Sequence, residues 1–253
     1  MMLVILVGVW AEERAVEKHL EVLDKKEIEG MPVTLGSHGD KAVLLCRTGI
    51  GEERTVLVER GILGSYNPGA VVSLRIARSV PKDLGLGDHV ICRQTHLWRT
   101  SGELTRGSRE SDPRLLAIAE QAAGSTGRNF AVMKALTISP IVPAPLDQDA
   151  AERSPSLGVV DTEGYWLAEM AFARDLPFLA VRTSLGDIFD RVPEVVRLAS
   201  KRGKVNPLRY LLHTASQPAR LPDLVALRGA VKQAARSLSA FTGEFLSAWS
   251  REP

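Results

Sequence analysis

The first ten residues place the strongest constraint on the fold. Residues 2–9 read MLVILVGV, an unbroken apolar run rich in branched side chains. A strand with one face in water would alternate apolar and polar side chains, so this run predicts a strand that is buried on both faces. The charged, amphipathic stretch Glu12–Leu23 that follows predicts a helix. A buried strand followed directly by a helix is typical of an α/β fold.

The same alternation of strand and helix patterns continues along the chain. Helical spacing occurs at residues 52–63, 113–123 and 163–174. Short apolar segments predict strands at residues 33–35, 41–47, 70–74, 89–92, 131–137, 158–160 and 177–181. Apolar residues recur every three or four positions from Leu224 to Trp249, which predicts one long C-terminal helix. We therefore expect one domain over residues 1–253, a three-layer α/β/α fold around a mixed, mostly parallel sheet.

The composition excludes several classes of function. Lys plus Arg (32) nearly balances Asp plus Glu (30), so no global field favours nucleic acid. Cys46 and Cys92 lie in apolar runs and are expected to be buried thiols of a cytoplasmic protein. We expect no signal peptide and no membrane span. The five histidines show no metal-ligand spacing, so neither a metal nor another cofactor is expected.

Four short segments, taken together and in their order along the chain, indicate a protein family more strongly than any one of them does alone. They are LVGVWAEE at 6–13, RTGIG at 47–51 with LGLGDHV at 84–90, VDTEG at 160–164, and PFLAVR at 177–182 followed by Asp187 and Asp190. Together they resemble the methylthioadenosine/S-adenosylhomocysteine nucleosidase branch of the nucleoside phosphorylase superfamily. The last part most resembles the hopanoid-associated, adenosylhopane-type nucleosidases. The resemblance implies a small-molecule nucleoside substrate and a homodimer or higher homo-oligomer.

Cleavage of a nucleoside C–N bond builds positive charge on the ribose and negative charge on the departing base, so carboxylates suit both sides of the bond. The resemblance assigns Glu13 to the attacking water and Glu163 to the ribose hydroxyls. The position of the family's base-protonating aspartate falls on Gly186, so Asp187 or Asp190 would take this role only after a one-residue insertion. The alternative is that the loop has diverged and neither aspartate faces the base. Acidic residues at the start of a helix also interact favourably with its dipole, which is the structural alternative for Glu13. Glu163 could equally be a helix N-terminal carboxylate.

The chain departs from the family pattern in the segment SLRIARS at 73–79, where relatives have the small residues that let substrate approach the backbone. Arg75 and Arg78 stand there as candidate substrate-binding residues, together with Thr162, Ser139 and Arg182. Thr162 replaces the methionine of the family.

Phosphorolytic relatives bind phosphate with an arginine and a serine in this segment. At the corresponding positions this chain has Ser73 and Ile76. Hydrolysis is therefore favoured over phosphorolysis, unless one of the new arginines makes an anion site. A third hypothesis is a ligand-binding protein without turnover. We expect Glu13 and Glu163 to line one cleft, and Arg75 or Arg78 to enter it. The guanidinium there would either pair with a carboxylate such as Glu163 or remain ready to bind an anion.

Overall fold

The computed structural model describes residues 1–81, 83–99, 104–139, 156–186 and 221–252. The strands are β1 (Leu3–Val7), β2 (Glu21–Ile28), β3 (Met31–His38), β4 (Lys41–Arg47), β5 (Ala70–Ser79), β6 (His89–Arg99), β7 (Leu104–Glu110), β8 (Phe130–Ser139), β9 (Leu157–Asp161) and β10 (Phe178–Ser184). The helices are α1 (Trp10–Glu17), α2 (Glu53–Val58), which continues as a π-helical turn over Glu59–Leu63, α3 (Pro113–Ser125), α4 (Gly164–Phe172) and α5 (Leu221–Ser250).

The ten strands form one mixed sheet in the order β10, β6, β8, β9, β5, β1, β4, β3, β2, with β7 beside β6. A further pairing of β5 with β10 closes five of these strands into a ring. Five of the pairings between described strands are parallel and five are antiparallel. The mixed sheet is as expected, but the parallel pairings do not predominate.

Strand β1 is buried on both faces, as its apolar run predicts. All five of its residues are fully buried. Leu3, Ile5 and Val7 pack with residues of α1, α3 and α5. Val4 and Leu6 pack with residues of α2, the π-helical turn and α4. The three-layer organisation and the single domain remain predictions.

The long C-terminal helix is confirmed. Its apolar stripe includes five residues that are almost completely buried, namely Ala234, Leu238, Phe241, Phe245 and Trp249. Four of them belong to the same core cluster as Leu3, Ile5 and Val7. The helix therefore covers the sheet on the side of α1 and α3. None of the described helices combines the length and the apolar character needed to cross a membrane.

Two edge strands were not predicted from the sequence. The helix expected to reach Leu23 ends at Glu17, and residues 21–28 form β2 instead. This strand is polar and exposed, and among the described strands it pairs only with β3, across a turn in which Glu29 and Gly30 have φ of 51° and 71°. Two consecutive left-handed residues are typical of a tight β-hairpin. The polar strand β7 likewise pairs only with β6.

Candidate active site

Four strands bring one residue each to the same level of the sheet. The parallel ladders β1–β4, β1–β5 and β5–β10 run in unbroken register. Because each step along one parallel strand is matched by a step along its neighbour, Gly8, Thr48, Arg75 and Arg182 lie side by side. Gly8 and Thr48 immediately follow β1 and β4, so the chain leaves the sheet at this level.

The segment that follows strand β9 places the carboxylate of Glu163 at this same level of the sheet. Strand β9 runs antiparallel to β5, with Arg78 paired to Val160. Continued three residues further, this register brings Glu163 opposite Arg75. Glu163 occupies the position just before α4, where the backbone leaves the extended conformation. The pairing of the two residues therefore follows from the sheet register.

Arg75 is the central side chain of the site. Its Nη1 donates to Oε1 of Glu163 at 2.6 Å and to the carbonyl oxygen of Gly49 at 3.0 Å. Its Nη2 donates to Oγ1 of Thr48 at 2.8 Å. Only 4% of the residue is exposed, yet its Nε has no hydrogen-bond partner among the described residues. The expected pairing of a new arginine with Glu163 is thus confirmed for Arg75.

Gly8 makes room for this arginine. A Cβ atom at position 8 would lie 2.2 Å from Nη1 of Arg75 and 3.3 Å from Oε2 of Glu12. Side chains do not approach that closely, so any larger residue at this position would displace the guanidinium. The absence of a Cβ is the property of glycine that the site uses here.

A second buried ion pair lies beside the first. Arg182 contacts Oδ2 of Asp161 through Nε at 3.0 Å and through Nη2 at 2.6 Å. Its Nη1 donates to the carbonyl and hydroxyl oxygens of Ser73, at 3.0 and 3.2 Å. The exposed fractions of the two side chains are 1% and 7%. Arg182 therefore ties β10 to β5 and β9.

The other oxygen of Asp161 fixes the turn that carries Glu163. Oδ1 accepts from Oγ1 of Thr137 at 2.6 Å and from the backbone N–H of Gly164 at 3.0 Å. The backbone N–H of Tyr165 in turn donates to Oγ1 of Thr137 at 2.7 Å. The start of α4 is thereby anchored on β8, which restricts where the carboxylate of Glu163 can lie.

The two carboxylates differ in their electrostatics. Burial raises the pKa of Glu163, and this effect exceeds the lowering by the charge of Arg75. Burial also acts to raise the pKa of Asp161, but Arg182 and the hydrogen bond from Thr137 outweigh it, so the pKa of Asp161 lies below its usual value. Asp161 is a fixed anion, whereas Glu163 accepts a proton more readily than an exposed glutamate.

Glu12 and Glu13 have separate partners. The carboxylate of Glu12 accepts from the backbone N–H groups of Gly8, Val9 and Ile76, at 2.6, 2.9 and 2.7 Å. It joins the residues that follow β1 to Ile76 within β5. Oε2 of Glu13 accepts from Nε of Arg47 at 2.7 Å, in a pair that is 12% and 7% exposed. Glu13 is thus joined to the site through Arg47, which directly precedes Thr48.

The remaining candidates are distributed around this centre. Thr162 donates from Oγ1 to Oε2 of Glu163. Arg78 is half-buried near the end of β5 and pairs through its backbone with Val160. Ser139 ends β8, but its side chain lies outside the described part. Asp187 and Asp190 lie outside the described residues.

Sequence reasoning missed the parts played by Thr48 and Arg54. Thr48 belongs to the TGIG motif, yet its hydroxyl received no role. Its Oγ1 accepts from Arg75, and its carbonyl oxygen accepts from Nε of Arg54 at 2.5 Å. In the described part of the chain, Arg54 forms no ion pair. Two guanidinium groups therefore meet at Thr48, and only one of them is paired with a carboxylate.

The described residues contain no group of three or more His, Cys, Asp or Glu side chains placed to hold a metal ion.

The model of the phosphorylase superfamily matches residues 3–204. The chain belongs to the phosphorylase superfamily. All of the site residues in the two ion pairs fall within the matched range.

Individual members of the phosphorylase superfamily support this assignment. The chain is 25% identical over 172 residues to a 5′-methylthioadenosine/S-adenosylhomocysteine nucleosidase of Shewanella pealeana, covering 63% of this chain and 74% of the relative. Its fold is similar to that of the native futalosine hydrolase of Helicobacter pylori, with a TM-score of 0.73 at 13% identity, covering 98% and 97% of the two chains.

A further similar structure holds a ligand. The Neisseria meningitidis 5′-methylthioadenosine/S-adenosylhomocysteine nucleosidase, in complex with methylthio-immucillin-A, has a TM-score of 0.74 at 15% identity over 96% of this chain and 97% of that one. At these identities the solved structures establish the mixed α/β fold with a C-terminal helix and no more. The residue roles of this superfamily member rest on its own geometry.

Proposed function

We propose that this protein cleaves the N-glycosidic bond of an adenosine-type nucleoside and releases the free base. The observation that carries the proposal is the placement of Glu163. This carboxylate is 5% exposed and held by Arg75 at the end of the sheet, in a chain whose curated relative is a nucleosidase. Hydrogen bonds from ribose hydroxyls to a carboxylate strengthen as the ribose becomes cationic.

The other roles follow the same logic. Glu13 would orient or deprotonate the attacking water, with Arg47 setting the position of its carboxylate. Asp187 would protonate the departing base. Thr162 would steer the second oxygen of Glu163, while Arg78, Ser139 and Arg182 would shape the surroundings of the nucleoside. We include in the proposal a bulky 5′ substituent on the substrate, a cytoplasmic location and a homo-oligomer.

One observation favours a different function. Arg75 already occupies an oxygen of Glu163 that a ribose would need. A protein that kept this pair closed would bind a ligand without turnover. The two functions are separated by incubating the purified protein with adenosine, methylthioadenosine, adenosylhomocysteine and inosine, with and without phosphate, and analysing the products by chromatography. No free base from any of the four would refute the proposed cleavage.

The Glu163→Gln variant tests the role of the carboxylate. We expect it to release base at least about tenfold more slowly, because about 1.4 kcal/mol of lost transition-state stabilisation is already tenfold in rate. The matched control is Glu169→Gln on the same helix, whose carboxylate pairs with Arg109 at 2.6 Å but is 39% exposed. Circular dichroism would verify that both variants fold. Equal rates in the two variants would remove Glu163 from the mechanism.

A further inference from the structure

The outer face of α5 carries a row of three cations, which we call the basic stripe. Arg228, Lys232 and Arg236 follow one another at intervals of four residues, and all three are exposed. At 3.6 residues per turn, their directions span an arc of about 80° around the helix axis. Leu238 and Phe241, which are fully buried, point to the opposite side of the same helix. The basic stripe therefore faces away from the core.

The basic stripe has no counter-charge in the parts of the chain that the structure describes. None of its three side chains takes part in an ion pair there. After Arg236, the next acidic residue along the helix is Glu244, about 12 Å further on. A fourth exposed cation, Arg128, lies beside the helix, because its Cζ and the Cβ of Ser237 would lie 3.8 and 3.3 Å from a Cβ atom on Gly87. The positive charges are thus available to a partner.

This positive charge is a local feature of a nearly neutral chain. Lys plus Arg exceeds Asp plus Glu by only two over the whole sequence, at 32 against 30. In the sequence just before α5, residues 191–220 contain seven Lys or Arg and one Glu. A local excess of charge acts over about one Debye length, roughly 8 Å at physiological ionic strength. The partner that fits it is an anionic surface reached at close range.

An exposed apolar side chain extends the same face of α5. Val225 is 70% exposed and lies three residues before Arg228, within the arc that the basic stripe spans. Helices that lie on anionic membranes combine such features, because their cations meet the headgroup phosphates while apolar side chains enter the boundary of the acyl chains. A nucleic acid would satisfy the cations but would leave Val225 in water. The combination favours a lipid surface.

We propose that the outer face of α5, from Val225 to Arg236, docks the protein on an anionic lipid membrane. The headgroup phosphates accept hydrogen bonds from the basic stripe, and Val225 enters the headgroup region. The docking is peripheral, because the apolar stripe of α5 remains packed against the sheet. It does not depend on the proposed cleavage, since none of these residues contacts the candidate active site.

Sedimentation of the full-length protein with vesicles tests the docking. Vesicles of phosphatidylcholine are compared with vesicles of phosphatidylcholine and phosphatidylglycerol in a two-to-one ratio, at low and at physiological salt. We expect the protein to bind only the vesicles that contain phosphatidylglycerol, and to bind them more weakly at the higher salt because ions screen the attraction. Equal binding to both kinds of vesicle, or binding to neither, would overturn the proposal.

A triple variant removes the basic stripe. One cation near an anionic membrane strengthens binding about fivefold, so Arg228→Gln/Lys232→Gln/Arg236→Gln should bind roughly a hundredfold more weakly. Circular dichroism would verify that the variant folds, as expected for three exposed positions. If it does not fold, Lys232→Gln alone should bind about fivefold more weakly. Undiminished binding by the folded variants would show that another surface meets the membrane.

The matched control changes the net charge by the same amount elsewhere. Lys25→Gln/Lys26→Gln/Arg60→Gln removes three exposed cations that each lie within 4.0 Å of a carboxylate. This variant should bind the vesicles nearly as well as the unmodified protein does. An equal loss of binding in the two triple variants would mean that overall charge, and not the basic stripe, drives the association.

The apolar side chain and the competing partner are tested in the same assay. Val225→Ser should weaken vesicle binding at least about threefold, because the side chain no longer leaves water on docking. Tight binding to a DNA duplex at the same salt, without binding to the vesicles, would assign the basic stripe to nucleic acid and overturn the proposal.

Base release in buffer without vesicles reports the candidate active site separately. The stripe variant should release base at the same rate as the unmodified protein, because the basic stripe lies outside that site. Vesicle binding without base release would support the docking and refute the cleavage. Base release without vesicle binding would support the cleavage and refute the docking.

Discussion

Removing one partner of the buried ion pair between Asp161 and Arg182 should cost far more stability than removing one partner of an exposed pair of the same length. The Nη2–Oδ2 distance of the buried pair is 2.6 Å, and its side chains are 7% and 1% exposed. Asp161→Asn preserves the shape of the side chain but leaves a guanidinium buried without a counter-charge. Removing one partner of such a pair typically costs about 3–5 kcal/mol. For a chain of this size that corresponds to a fall in Tm of roughly 6–20 °C.

An exposed pair provides the matched control. Arg114 and Glu252 are also 2.6 Å apart, but their side chains are 45% and 35% exposed. Glu252→Gln should therefore cost only about 0–1 kcal/mol. Urea denaturation of both variants at pH 7, followed by circular dichroism and tryptophan fluorescence, gives the two free energies of unfolding. Equal losses would mean that Arg182 does not remain a buried, uncompensated charge in Asp161→Asn, and the reasoning would be wrong.

The same variant makes a pH prediction with a definite sign. The pKa of Asp161 is lowered in the folded protein, so in acid the unfolded chain binds more protons at this group than the folded chain does. The pair's contribution to the free energy of unfolding is therefore fully present above the ordinary aspartate pKa of about 3.9. It is lost as the pH falls through the lower pKa that Asp161 has in the folded protein. Asp161→Asn should remove this part of the acid sensitivity.

Two further perturbations have expected outcomes. Burial lowers the pKa of His89 to about 4, so the free energy of unfolding should fall by about 2 kcal/mol between pH 7.5 and pH 5 on account of this residue. His89→Gln should flatten that decline in urea titrations, and an unchanged slope would contradict the assignment. Gly8→Ala should cost about 1–3 kcal/mol by overpacking, because the new Cβ would displace the guanidinium of Arg75. An unchanged free energy of unfolding in urea would show that the guanidinium moves aside without cost.

The sequence predicted the parts of the fold in which burial alone decides the structure. The apolar run of β1 and the stripe of α5 face no competing pattern, and both are buried as expected. Strands β2 and β7 were missed because each has a single neighbouring strand and carries polar side chains. Their conformation depends on pairing with β3 and β6, which no local pattern encodes.

The site was predictable to the extent that one residue type was out of place. The departure of residues 73–79 from the pattern that the resemblance implies directed attention to Arg75, and its pairing with Glu163 is present in the structure. The contacts with Thr48 and Gly49 were not foreseen, because they join positions 26 and 27 residues apart through the registers of two parallel ladders. Only the strand order makes these residues neighbours.

The arginine at position 75 depends on the space, the hydrogen-bond acceptor and the charge that neighbouring residues provide. Gly8 has no Cβ, Thr48 presents a hydroxyl, and Glu163 supplies the opposite charge within hydrogen-bond distance. Exchanging Arg75 for glycine would leave Glu163 buried beside Asp161, and the pKa of Glu163, already raised by burial, would rise further without the arginine's charge. Such a carboxyl group would tend to be neutral, and a neutral group stabilises a cationic ribose less well than a carboxylate does. The arginine therefore favours the ionised form of Glu163 and at the same time occupies one of its oxygens.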